Sequence, residues 1–156
     1  MFSKLTKKVN LDNCTELIVN IGEIKAQYNP DRFSFWRSLH EGPEIDVLNM
    51  MWSPHYRFLR QYVEQKGVIN EINKTAYYRL QSMYGRNAKW IQLKVDKFIN
   101  LFNSVRKNGF KENVIILNKP LVNNEYNSGF EIFEGHHRIA CGLVLNIDSI
   151  TCDVIY

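Results

Sequence analysis

Across Gly135 the apolar pattern of the chain changes period, and that change limits the folds open to it. "GFEIF", residues 129–133, is a short apolar run of the kind that forms a strand. Beyond the glycine, Ile139, Ala140, Leu143 and Val144 fall on one helical face, and "ITCDVI", 150–155, reads as a strand again. Upstream, Phe98, Leu101, Phe102 and Val105 stand at i, i+3, i+4 and i+7, predicting an amphipathic helix over 90–107 that "KNGF" ends with a glycine. "NVIILN", 113–118, is a β-branched run closed by Pro120, and the turn-rich "NNEYNSG" separates it from the next strand. The order helix, strand, strand, helix, strand predicts an α/β (α+β) domain, and it puts Gly135 at a strand-to-helix junction.

The texture of the sequence differs before residue 90. One strand is expected at "ELIVNI", 16–21, and helices at about 54–66 and 72–84; Phe58, Leu59, Tyr62 and Val63 share a face of the first. Residues 40–56 mix carboxylates, two histidines and two prolines, as in an ordered loop or a short helix followed by a Ser-Pro helix start, and could line a substrate pocket. The expected organisation is a mainly helical N-terminal half, 1–89, packed on a core at 90–156 as one compact unit. With 156 residues, 45% of them apolar and 13% aromatic, the chain can fill such a core.

Composition excludes several classes. Twenty basic against sixteen acidic residues give a net charge of +4, which permits contact with phosphates but is far from an arginine-rich nucleic-acid arm. Cys14, Cys141 and Cys152 form no CxxC pair and suggest buried thiols rather than a disulfide framework or zinc ribbon. The N-terminal "MFSKLTKKVNLDNC" has no apolar leader and no run approaches a membrane span, so a cytoplasmic, non-membrane protein is expected.

Five consecutive positions then concentrate the chemistry: Glu134, Gly135, His136, His137 and Arg138. At the first turn of a helix several backbone N–H groups lack intrahelical partners, so this is a natural anion site. Arg138 can hold a phosphate with two parallel donors, and His137 can donate to it or exchange a proton. A carboxylate beside such a cradle, Glu134, can position Mg²⁺ or accept a proton from an attacking hydroxyl. The plainer reading is a solvated helix start in which Glu134 complements the helix dipole. Zinc is a weaker option, because adjacent histidines diverge on a helix and no further ligand has suitable spacing.

The stretch from about Trp90 to Ile155 resembles the ParB/sulfiredoxin superfamily. It does so through "SVRKNG" at 104–109, "VIIL" at 114–117 and "FEIFEGHHRIACGLVL" at 130–145, in the order helix, strand, strand-Gly-x-x-Arg, helix. Sulfiredoxins carry a cysteine where this chain has His136, so sulfinic acid reduction is not expected. ParB proteins carry a different motif and a following helical DNA-binding region, so with the last predicted strand at the end of these 156 residues a partition-type clamp is not expected.

The free serine kinase branch, with "DGHHR", is the nearest local match to "EGHHR". That resemblance implies phosphoryl transfer from ATP or ADP, with CTP as the ParB-like alternative, to a small hydroxyl-bearing acceptor. Glu134 and His137 would be the catalytic pair and Gly135, His136, His137 and Arg138 the phosphate cradle, with Mg²⁺ held at Glu134. The similarity to sulfiredoxin-like members implies that Lys97, Asn100 and Ser104, on the preceding helix, help hold the nucleotide phosphates. The alternatives are a non-catalytic nucleotide-sensing or interaction module and a ParB-like DNA-binding or nuclease protein. In the first half Asp46, His55, Tyr56 and Arg57 are candidates to reach a substrate, and Glu41 or Glu44 to supply a base. Tyr77, Tyr78, Tyr84 and Trp90 are read as packing rather than base stacking.

Overall fold

The computed structural model describes residues 11–40, 47–120 and 129–156. Its first half contains β1 (Cys14–Asn20), β2 (Ile24–Lys25), α1 (Pro30–Ser38), α2 (Pro54–Glu64) and α3 (Ala76–Met83). The second contains α4 (Ala88–Asn108), β3 (Val114–Leu117), β4 (Phe130–Glu134), α5 (His136–Val144) and β5 (Ser149–Ile155). The strands form one mixed five-stranded sheet in the order β1-β5-β3-β4-β2. β1 runs antiparallel to β5 and β3 antiparallel to β4, whereas the β3–β5 and β2–β4 pairs are parallel. Both edge strands therefore come from the first half of the chain, which is less purely helical than its sequence suggests. Among the described residues no helix is long and apolar enough to cross a membrane.

The helices start and stop where local chemistry dictates. Asn87 caps α4 by accepting from the Trp90 N–H at 2.9 Å, and Gly109 ends it with φ 74°, a conformation that costs a residue bearing a Cβ. The Ser-Pro start foreseen for α2 forms: Ser53 Oγ accepts from the Tyr56 N–H at 3.0 Å and Pro54 occupies the first turn. The helix expected over 72–84 is instead a 3₁₀ turn, Ile72–Lys74, followed by α3, because the Thr75 side chain caps a fresh helix through the Tyr78 N–H. Of the 40–56 segment, residues 41–46 lie outside the described structure and Met50–Trp52 form a 3₁₀ turn. α1 was not foreseen. Its signal is "NPD": Asn29 accepts from the Asp31 and Arg32 N–H groups, with proline and an acidic residue in the first turn.

One buried cluster joins the halves. Ile24, Trp36, Phe58 and Tyr77 from the first pack with Phe98, Phe102, Ile132 and Val154 from the second. α5 packs against both α2 and α4. The start of α5 thus stands where the two halves of the chain meet.

Candidate functional site

Gly135 makes the turn from β4 into α5 at φ 124°, ψ 24°. A Cβ there would stand 2.9 Å from Val114 Cγ1, so both backbone conformation and space demand glycine. The helix begins with the Ile139 N–H bonded to the Gly135 carbonyl at 3.0 Å, and no side chain caps it. The N–H groups of His136, His137 and Arg138 are the ones such a start leaves without intrahelical acceptors. They belong to residues that line a cleft of about 580 Å³.

The cleft draws its walls from both halves. Arg32 comes from α1, His55 from α2, Gln81 and Tyr84 from the α3 end, Trp90, Lys94 and Lys97 from α4, and Glu134 to Arg138 from the β4–α5 turn. Among the described residues five lining side chains are cationic, namely Arg32, Arg86, Lys94, Lys97 and Arg138, against a single carboxylate, Glu134. Of the five, only Arg138 has a carboxylate partner among the described residues. Focused into a concave site, such an excess makes a strong attractor for anions.

The histidines are held apart from one another by different partners. His136 Nε2 lies 3.4 Å from the Gln27 N–H and 3.2 Å from Arg32 Nη1, so two donors leave it an acceptor and put its proton on Nδ1. His137 Nε2 lies 2.8 Å from the Tyr77 hydroxyl. Burial raises the pKa of the Tyr77 phenol, so it keeps its proton and can donate it to His137. Burial first, then the charges of Lys94 and Arg138, lower His137 from 6.5 to about 4, so it is a neutral imidazole near pH 7.

A third ring, His55, packs at 6.0 Å from His136 and 4.7 Å from His137. It is 5% exposed, and its Nδ1 has no hydrogen-bond partner. Burial, with the nearby imidazoles, Arg32 and Lys94 adding to it, pushes its pKa well down as well. Despite this gathering, no group of three or more His, Cys, Asp or Glu among the described residues is placed to hold a metal ion.

Arg138 is more engaged than a bare phosphate fork. Its Nη1 donates to the Asn113 carbonyl at 2.6 Å and its Nη2 to Glu112 at 3.0 Å, which orients the guanidinium at the cleft wall but divides its donors. On α4 the three expected phosphate contacts separate. Lys97 lines the cleft, whereas Ser104 borders an adjoining cavity of about 230 Å³ that shares Leu101 and Arg138 with it. Asn100 is exposed and lines neither. The reason is angular: Trp90, Lys94, Lys97, Phe98 and Leu101 share an arc of about 100°, and Asn100 lies about 60° beyond it.

Of the first-half candidates, His55 reaches the cleft, while Tyr56 and Arg57 line a separate surface groove with Trp52 and Arg60. Asp46, Glu41 and Glu44 lie outside the described residues. Tyr77 is buried packing against Phe58 and Phe98, but Tyr84 and Trp90 line the cleft. All three cysteines are free; Cys14 is only half-buried, and burial pushes Cys141 up to about 12, leaving it an inert thiol. Arg32, Arg86, Gln27 and Lys94 were not singled out by sequence. Only Lys94 left a usable signal, one turn before Lys97 on the same helix face.

Comparison with protein-family models, with curated proteins and with solved structures gives no match for this chain.

Proposed function

We propose that the cleft binds a nucleotide and transfers a phosphoryl group from it to a small hydroxyl-bearing acceptor, in a ParB/sulfiredoxin-like domain of a cytoplasmic protein. The observation that carries this reading is the uncapped start of α5 opening into a cleft with five cations and one carboxylate. The amides of His136 to Arg138, together with Arg138 and Lys97, would hold the phosphates of ATP or ADP, or of CTP. Among the described residues Glu134 is the one carboxylate that lines the cleft. A single carboxylate plus phosphate oxygens is a ligand set that Mg²⁺ accepts, and the ion would neutralise charge on the transferring group.

In the step itself, the acceptor oxygen forms a bond to the terminal phosphorus. The bond from that phosphorus to the bridging oxygen breaks, its electron pair leaving with the shortened nucleotide, and the hydroxyl proton passes to Glu134 where that carboxylate serves as the base instead of as the Mg²⁺ ligand. His137, neutral and bonded to Tyr77, serves this chemistry as an oriented hydrogen-bonding group rather than as an imidazolium acid. That pairing also favours a second reading, a nucleotide-sensing module that binds without transfer. The two separate on prolonged incubation with Mg²⁺ and ATP or ADP across a panel of hydroxyl compounds, followed by nucleotide analysis. Acceptor-dependent loss of one phosphate, abolished by Glu134→Gln, is the expected result. Intact nucleotide after binding has been demonstrated would leave the sensing module.

A further inference from the structure

Of the three tryptophans, Trp36 is buried in the core and Trp52 lines the surface groove beside Tyr56, whereas Trp90 stands half-buried in the wall of the cleft. Its place is fixed by the start of α4, where the Asn87 side chain accepts from the Trp90 N–H at 2.9 Å. The Arg86 guanidinium lies over the indole, 4.0 Å from its centre, and Lys94, one turn further along α4, comes within 5.4 Å of the same ring. Neither cation has a carboxylate partner among the described residues, and Arg86 is exposed. A guanidinium is flat and weakly hydrated, so its stack on an indole presents a surface on which a further aromatic plane can lie.

The spacing along α4 relates this pair to the phosphate cradle. Trp90 and Lys97 are close to two turns apart, so they share one face of the helix and stand about 10 Å from each other along its axis. An extended nucleotide bridges such a span between its phosphates and its base. Arg32 makes the two ends one continuous site, since it reaches the Tyr84 hydroxyl at 3.4 Å and His136, in the cradle, at 3.2 Å. The adjoining cavity beyond Arg138 is a poorer seat for a base. Its aromatic ring, Phe110, packs on α5, where a Cβ on Gly142 would stand 3.2 Å from Phe110 Cζ, and Glu112 at its rim is bonded to Arg138.

Building on the nucleotide reading above, we infer that the Arg86–Trp90 pair seats the base of the nucleotide, and that this nucleotide carries a purine rather than cytosine. Stacking tolerates any base but strengthens with the area of ring covered, and the fused purine covers more of the pair. Lys94 and Lys97, on the same face of α4, then follow the nucleotide from its base to its phosphates.

The test is calorimetric titration of ATP, CTP and ribose triphosphate, which differs from ATP in lacking the base, each with Mg²⁺. It is run on the full native chain and on Trp90→Ala, Trp90→Phe and Arg86→Gln. ATP is expected to bind about tenfold more tightly than ribose triphosphate, the effect of one stacked base, with CTP between them. Trp90→Ala should lower ATP to the level of ribose triphosphate while ribose triphosphate holds its affinity, and Trp90→Phe, which keeps an aromatic face, should recover part of the difference. Arg86 is exposed, so Arg86→Gln keeps the test decisive if Trp90→Ala fails to fold; it should weaken ATP more than ribose triphosphate. Three results would overturn the inference and leave the phosphate cradle standing: equal affinity of the native chain for ATP and ribose triphosphate, CTP as tight as ATP, or equal losses for ATP and ribose triphosphate in the variants. Binding of none of the three ligands would remove the nucleotide reading itself, and the base seat with it.

Discussion

Gly135 carries two constraints at once, a positive φ and a wall of Val114 methyl groups, and each makes a separate prediction. Gly135→Ala is expected to destabilise the domain by about 2–4 kcal/mol, the sum of backbone strain and overpacking. Adding Val114→Ala should recover only the overpacking part, which a double-mutant cycle by urea unfolding measures. Full recovery would mean that the φ is not strained. His137 makes a prediction in pH. Its folded pKa, about 4, lies below its ordinary 6.5, so between these values the unfolded chain binds more protons. Its contribution is present above pH 6.5 and is lost as pH falls towards 4, about 3 kcal/mol in all. His55 and His136 act in the same direction. The slope of stability against pH in this window should shrink by up to about 1.4 kcal/mol per pH unit in His137→Gln. Parallel curves for the two proteins would contradict the assignment.

At the scale of elements, the loop between α4 and β3 decides how Arg138 is presented. Glu112 is exposed and competes with any bound anion for the guanidinium, whereas the Asn113 carbonyl orients it. Glu112→Gln should therefore tighten nucleotide binding a few-fold at low salt, by the modest worth of an exposed ion pair. Weaker binding would make Glu112 part of the site instead. The elements that frame this loop were legible in the sequence because each buries a face with clear periodicity: Phe98, Phe102 and Val105 on α4, and Ile139 and Ala140 on α5. α1 was not legible, since of its apolar residues only Trp36 is fully buried and its signal lay in the Asn29-Pro30-Asp31 start. β2 has two residues, too few for any alternation to show, and it exists through pairing with β4. The α5 half of the site could be read because its residues are consecutive. Arg32, His55 and Tyr84 reach it only through tertiary folding, from helices whose own patterns point to packing.

For the whole molecule, the formal excess of +4 is less informative than its placement. Five cations converge on one cleft at the meeting of the two halves, and four of them lack a carboxylate partner among the described residues. A concave site of this kind favours a small polyanion over an extended duplex, and its affinity should fall with rising ionic strength as screening shortens the reach of the exposed charges. The most direct measurement is calorimetric titration of ATP, ADP and CTP, each with Mg²⁺, into the native protein and Arg138→Ala, with circular dichroism to establish that the variant is folded. Saturable binding of at least one nucleotide by the native protein is expected, with a loss of about tenfold or more in the variant, the worth of a charge-assisted phosphate contact. Equal affinity in the two folded proteins, or no nucleotide binding by the native chain, would contradict it.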